Sequence, residues 1–282
     1  MARPAARRLW AVGGRRHSLC AVTTLPRSAL LAAWLGAALA GRVPTERAVR
    51  LVEASDEPHV VAAADSAPVL GDCDDLESLV PALRRHGATG LRLVLPVPGD
   101  ALGLPGPSDV NTEALDAGEC ALTVGGSPLA LVPEVEEFGS AYEPGYLVTW
   151  QVHACDPVRV TDVGSLGEAE RLLREALMAA TSALDGLDVA RWRPDAAGRI
   201  GSLRSGRGPA DLLPPGSPPR AARVLDLAWR VRGIVELARE DDGGAVSGWE
   251  AMRRAEALRG LDDVSRRAVV AAVNAPLEPG PT

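Results

Sequence analysis

The stretch GYLVTWQVHAC, residues 145–155, constrains the fold more than any other part of the chain. Tyr146, Val148, Trp150, Val152 and Ala154 fall on one side of an extended backbone. Leu147, Thr149, Gln151, His153 and Cys155 fall on the other. A period of two sustained over this length predicts a strand with one face against a core. A strand of this kind needs hydrogen-bonded neighbours. GECALTV (118–124) and LALVPE (129–134) supply two, joined by Gly125, Gly126, Ser127 and Pro128 as a hairpin turn. HVVAAAD (59–65) and TGLRLVLP (89–96) read as two more. The middle of the chain is therefore expected to form a mixed or antiparallel sheet with helix packed on one face.

Helical period governs the rest. Ser28 is positioned to cap a helix whose apolar side carries Leu31, Trp34, Leu35, Ala38 and Leu39. Pro44, Thr45 and Glu46 open a second helix reaching about Ala54. Asp74 or Asp75 opens a third, with Leu76, Leu79, Val80 and Leu83 as its stripe, and Pro81 predicts a kink or a late start. Ser165 and Glu168 form a capping box before an apolar stripe that keeps helical register from Leu166 to Leu187. Residues 191–219 are a connection rich in Gly, Pro and Arg. Three helical segments follow, at about 219–240, 247–259 and 262–275. The fold class is α+β: a mixed or antiparallel sheet with packed helices over 25–160, followed by an all-helical C-terminal part over 161–276 packed on it. Residues 1–24 stand outside this fold as an extension, and 277–282 are a frayed tail.

Composition narrows the chemistry. All 30 Lys-plus-Arg residues of the 282-residue chain are arginine. Without lysine there is no Schiff-base, P-loop or general-base lysine. The net charge of −7 removes a global basic footprint for nucleic acid. In the C-terminal helices arginines alternate with acids as on a solvated face, which again argues against nucleic acid.

The first forty residues admit two readings. ALLAAWLGAALAG (29–41) follows arginines and ends in an Ala-Leu-Ala motif, as an export signal would. The same residues suit a soluble helix, and cysteine number favours it: cleavage after Ala40 would leave Cys73, Cys120 and Cys155, an odd set for an oxidising compartment. The apolar run is too short for a membrane span. A cytoplasmic setting is expected, with export as the alternative. Valine codons serve as bacterial starts, so Val22 is the expected first residue of the native protein.

The loop VPGDALGLPGPSDVN (97–111) follows the strand ending at Pro96. Its glycines, Gly99, Gly103 and Gly106, lack dinucleotide-loop spacing, and Pro105 and Pro107 remove amide donors that a phosphate cradle needs. The expectation is a stiff connection between two strands, with Asp100 as the polar group of a ligand-binding alternative. His153 and Cys155 have no local mates for a zinc site, so no metal and no cofactor is expected. Arg191, Trp192 and Arg193 form an exposed-contact candidate, two guanidinium groups flanking an indole. The candidate ligand-binding set is thus Asp100, His153, Arg191, Trp192 and Arg193, with no catalytic residue assigned.

LRLVLPVPGDALGLPGP, LDVARWRP and AARVLDLAWRVRGIVELAREDDGGAVS resemble a group of uncharacterised proteins of high-GC actinobacteria, with the likeness running from about Leu25 to Ala275. The resemblance implies a cytoplasmic setting and the late start, and carries over no catalytic residues. The functional expectation is a non-enzymatic intracellular binding or regulatory protein with a protein partner and no membrane association. The alternative is a small-molecule enzyme, hydrolase-like, using carboxylate and Arg groups near 96–110.

Overall fold

A computed structural model describes residues 25–67, 70–71, 73–140, 142–158, 164–185, 208–240 and 248–278. Its elements are α1 (Arg27–Leu39), α2 (Thr45–Glu53), β1 (Val60–Ala63), α3 (Leu76–Arg85), β2 (Gly90–Val94), α4 (Ser108–Ala117), β3 (Cys120–Val124), β4 (Leu129–Ser140), β5 (Glu143–Ala154), α5 (Leu166–Asp185), α6 (Pro219–Glu240) and α7 (Gly248–Asn274). The α+β class and the helical C-terminal part stand as read from the sequence.

Five strands make one mixed sheet in the order β1-β5-β4-β3-β2. β1 runs parallel to β5, and the other pairs are antiparallel. The alternation in β5 sorts its side chains as expected: Val148, Trp150 and Val152 enter the main core with Leu91, Leu93, Leu129 and Leu131.

Helix α1 departs from its expected one-sided burial, because Ser28 through Leu39 are all buried. Alanine, leucine and glycine leave it without a polar side, and a helix apolar all round belongs in an interior. It lies across β2, where a Cβ at Gly36 would sit 3.2 Å from the Leu91 nitrogen, so glycine sets the close approach. Ser28 is not the cap. Pro26 holds that position, and the Ser28 N–H donates to Glu119 Oε2 at 2.7 Å. A distant carboxylate supplies the acceptor that a local side chain was expected to give.

In α3, Asp75 caps as expected, accepting from the Ser78 N–H at 2.7 Å. Pro81 lies inside the helix on its exposed side and does not end it.

Two expectations are corrected. The stretch after β2 does not run from strand to strand, because α4 intervenes and covers the second face of the sheet. Val110 and Ala114 of α4 are buried in a small second core with Val94, Cys120, Leu122, Ala130 and Val132. Only these two side chains of the helix are buried, so its stripe was too thin to be read. The two segments expected at 247–259 and 262–275 are one helix. Gly260 faces open space, and Leu258, Leu261, Ser265, Ala268 and Ala272 form an unbroken buried stripe through it.

Helices α5 and α6 pack on α7, and α7 reaches back to the sheet. Asn274 closes the outer edge of β2: its Oδ1 accepts from the Leu93 N–H at 2.8 Å, and its Nδ2 donates to the Leu93 carbonyl at 3.0 Å. The side-chain amide stands in for the next strand. Among the described residues no helix is long and apolar enough to cross a membrane.

Candidate functional site

The loop after β2 begins with a tight turn. Val97 and Asp100 exchange backbone hydrogen bonds at 2.8 and 3.0 Å, and Gly99 between them has φ +88°. Further on, the Gly106 N–H donates to Asn111 Oδ1 at 3.0 Å, and the Gly106 carbonyl accepts from the Asp156 N–H at 3.1 Å. The loop spends these polar groups on itself and on the end of β5.

Asp100 faces α7. Its Oδ2 accepts from Arg266 Nη2 at 2.6 Å and from Arg267 Nε and Nη2 at 3.1 and 2.9 Å, and its Oδ1 accepts from the Leu102 N–H at 3.3 Å. Arg266 is nearly buried and also donates through Nη1 to the Leu95 carbonyl at 2.5 Å. Burial pushes the Asp100 carboxyl up, but hydrogen bonds and charge from the two guanidinium groups outweigh it and hold it below the usual carboxylate range. The arrangement ties the loop to the C-terminal helix. A carboxylate held by three guanidinium donors is a poor base and a good brace.

His153 sits on the second face under α4. Its Nε2 lies 3.0 Å from Glu113 Oε2, but the angle leaves that nitrogen without a hydrogen bond. Asp100 and His153 therefore have separate partners. Arg191, Trp192 and Arg193 lie outside the described residues.

One polar chain escaped the sequence reading. The Trp150 Nε1–H donates to His59 Nδ1 at 3.1 Å, and His59 Nε2 lies 3.3 Å from Asp56 Oδ2. Asp56 in turn takes Arg27 Nε at 2.6 Å, and the Arg27 guanidinium lies 4.9 Å from the Tyr146 ring centre. An acceptor Nδ1 fixes the neutral tautomer with its proton on Nε2, donated to Asp56. His59 directly precedes β1, so only the parallel β1–β5 pairing brings it to Trp150; no local spacing could have announced it.

Cys73, Cys120 and Cys155 are free thiols. Burial pushes the Cys120 thiol well up and, with Asp156 adding to it, pushes Cys155 up to about 11. Cys120 is a side chain of the small second core, and Cys155 packs half-buried against it. Among the described residues no group of three or more His, Cys, Asp or Glu is arranged to hold a metal. A cavity lined by Ala32, Gly36, Leu91, Leu213, Val273 and Leu277 has room for about one water molecule.

Exposure of large apolar side chains concentrates elsewhere. β3 pairs with β4 only at Ala121–Leu131 and Leu122–Ala130, so among the described residues no strand lies beside the outer edge of β4 beyond Pro133. Beyond this point β4 and β5 continue as a hairpin arm to Ser140 and Glu143. Tyr142 at its tip is 96% exposed, Leu147 46% and Phe138 45%. Val60 of β1 faces Thr149 in register and is also exposed, so it shares the uncovered half of the second face with Leu147 and Phe138. Glu134, Glu136, Glu137 and Glu143 stand exposed along the arm. The Phe138 ring lies over Gly145, its register partner, in the space a Cβ there would fill.

Comparison with known proteins adds the following. Residues 28–163 match the N-terminal domain and residues 167–270 the C-terminal domain of the Rv1486c-like proteins. The chain is 30% identical to the uncharacterized protein Rv1486c of Mycobacterium tuberculosis, over 88% of this chain and 96% of that one. It is 31% identical to the uncharacterized protein ML1804 of Mycobacterium leprae, over 66% of this chain and 67% of that one. It is 28% identical to the uncharacterized protein MAV321 of Mycobacterium avium, over 88% and 96%. No solved structure matches.

Proposed function

The chain belongs to the Rv1486c-like protein family, and from that premise we propose that it is a non-enzymatic, intracellular binding or regulatory protein whose contact surface is the uncovered half of the sheet and the β4–β5 arm. The observation that carries this reading is the gathering of Val60, Phe138, Tyr142 and Leu147, all exposed, around strands that α4 leaves bare. Exposed apolar residues scattered singly are ordinary, whereas several side by side on one face mark a place that another molecule covers. The hydrolase-like alternative needs a free carboxylate, and the Asp100 carboxylate is committed to Arg266 and Arg267. The intracellular setting rests on the odd number of thiols left once the leading segment is set aside, as well as on the burial of Cys120.

Site-specific photo-crosslinking in the native cell tests the proposal. A photoreactive residue at Phe138 is expected to capture a discrete partner that one placed at exposed Met178 of α5 does not. Equal capture from both positions, or none from Phe138, would remove the reading.

A further inference from the structure

Two edge segments of the sheet, β2 and the part of β4 beyond its pairing with β3, are finished differently. The β2 edge is filled by Asn274, with Arg266 on the Leu95 carbonyl just beyond the strand. The β4 edge from Glu134 to Ser140 is paired on its inner side with β5 alone. An edge strand presents half of its backbone N–H and C=O groups outward, ready for another strand. The five extended residues 134–138, before Gly139 turns at φ +89°, give roughly 17 Å of such edge.

Side chains on this edge say which occupant fits. Register places Glu134, Glu136 and Phe138 on the second face, and Val135 and Glu137 on the first. Residues 134–144 carry four glutamates and no basic residue. A second copy of the chain, added edge to edge, would bring this acidic run against itself, and like charges opposed across strands repel. Pro133, which has no N–H to offer, limits the open stretch at the core end. Acidic residues and a proline guard the edge against self-pairing while leaving its backbone run available.

We propose that residues 134–140 of β4 accept an extended, arginine- or lysine-bearing polypeptide segment of a partner protein as an added strand. This deepens the binding reading above and rests on it. Main-chain hydrogen bonds to the β4 edge supply the affinity. Basic side chains on one face of the segment meet Glu134 and Glu136, and apolar ones on the other face meet Val135.

The test uses the full chain and a fluorescent peptide of alternating arginine and valine, read by anisotropy. Binding is expected, with affinity falling about ten-fold when Glu134 and Glu136 are both changed to Gln. It should fall at least as far when every second amide of the peptide is N-methylated, which keeps the charge and removes strand donors. Alternating glutamate and valine should not bind. Equal binding of the N-methylated peptide would reduce the site to simple charge attraction and overturn the proposal, as would no binding or dimerisation of the chain through the arm. Loss of this site with continued crosslinking from Phe138 would leave the broader binding reading standing.

Discussion

β2 and the outer part of β4 are both edge segments of one sheet, yet one is closed by side chains of α7 and the other has no strand beside it among the described residues. At β2 the last residue of α7, Asn274, supplies both a donor and an acceptor to Leu93, and Arg266 fills the Leu95 carbonyl while holding Asp100. At β4 the same kind of backbone carries glutamates, an edge proline and exposed Phe138. The difference teaches where this chain spends its buried polar contacts. At β2 they join the C-terminal helix to the sheet, whereas the tip of the arm is left with apolar and acidic side chains facing water.

Substitutions can break this comparison or sharpen it. Arg266→Ala should have the largest effect, about 3 kcal/mol of unfolding free energy by chemical denaturation, because it takes a nearly buried cation from Asp100 and the Leu95 carbonyl. Asn274→Ala should cost about 2 kcal/mol, since it strands the N–H and C=O of Leu93.

Asp100→Asn should cost about 1 kcal/mol at neutral pH, with an acid signature. A carboxyl whose folded pKa is lowered stabilises the fold fully above its ordinary value of 3.8, and that contribution is lost as pH falls through the lowered value. The gap between wild type and Asp100→Asn should therefore be open at neutral pH and close in acid, as read from denaturation midpoints across that range.

On the arm, effects should shrink. Gly145→Ala pushes the Phe138 ring off its partner, but that ring can swing into water, so about 1 kcal/mol or less is expected. Leu147→Ser should stay within about 0.5 kcal/mol. A cost from Leu147→Ser comparable to that of Arg266→Ala would mean that the arm belongs to the core.

Most strands and helices were legible because each carries a local pattern. The alternation in β5 and the Asp75 cap of α3 are written in neighbouring residues. Helix α4 was not legible, since its two buried side chains, Val110 and Ala114, make no periodic stripe. The single long α7 was not legible as one helix, because local pattern does not show that its buried stripe runs on past Gly260. Asp100 was marked as the polar residue of its loop, but its partners sit 166 and 167 positions away, at a distance in sequence no pattern spans. His59 and Trp150 meet for the same reason, across a parallel pairing. The extension of β4 to Ser140 was missed because glutamates interrupt the apolar alternation.

Amide hydrogen exchange on the full chain, with and without the alternating arginine–valine peptide, tests the central claim most directly. In the free chain the Leu93 amide should exchange slowly behind Asn274, while outward amides of 134–140 exchange fast. The peptide should slow those β4 amides and leave β2 unchanged. Slow exchange along β4 in the free chain, or protection by the peptide somewhere other than 134–140, would contradict the account.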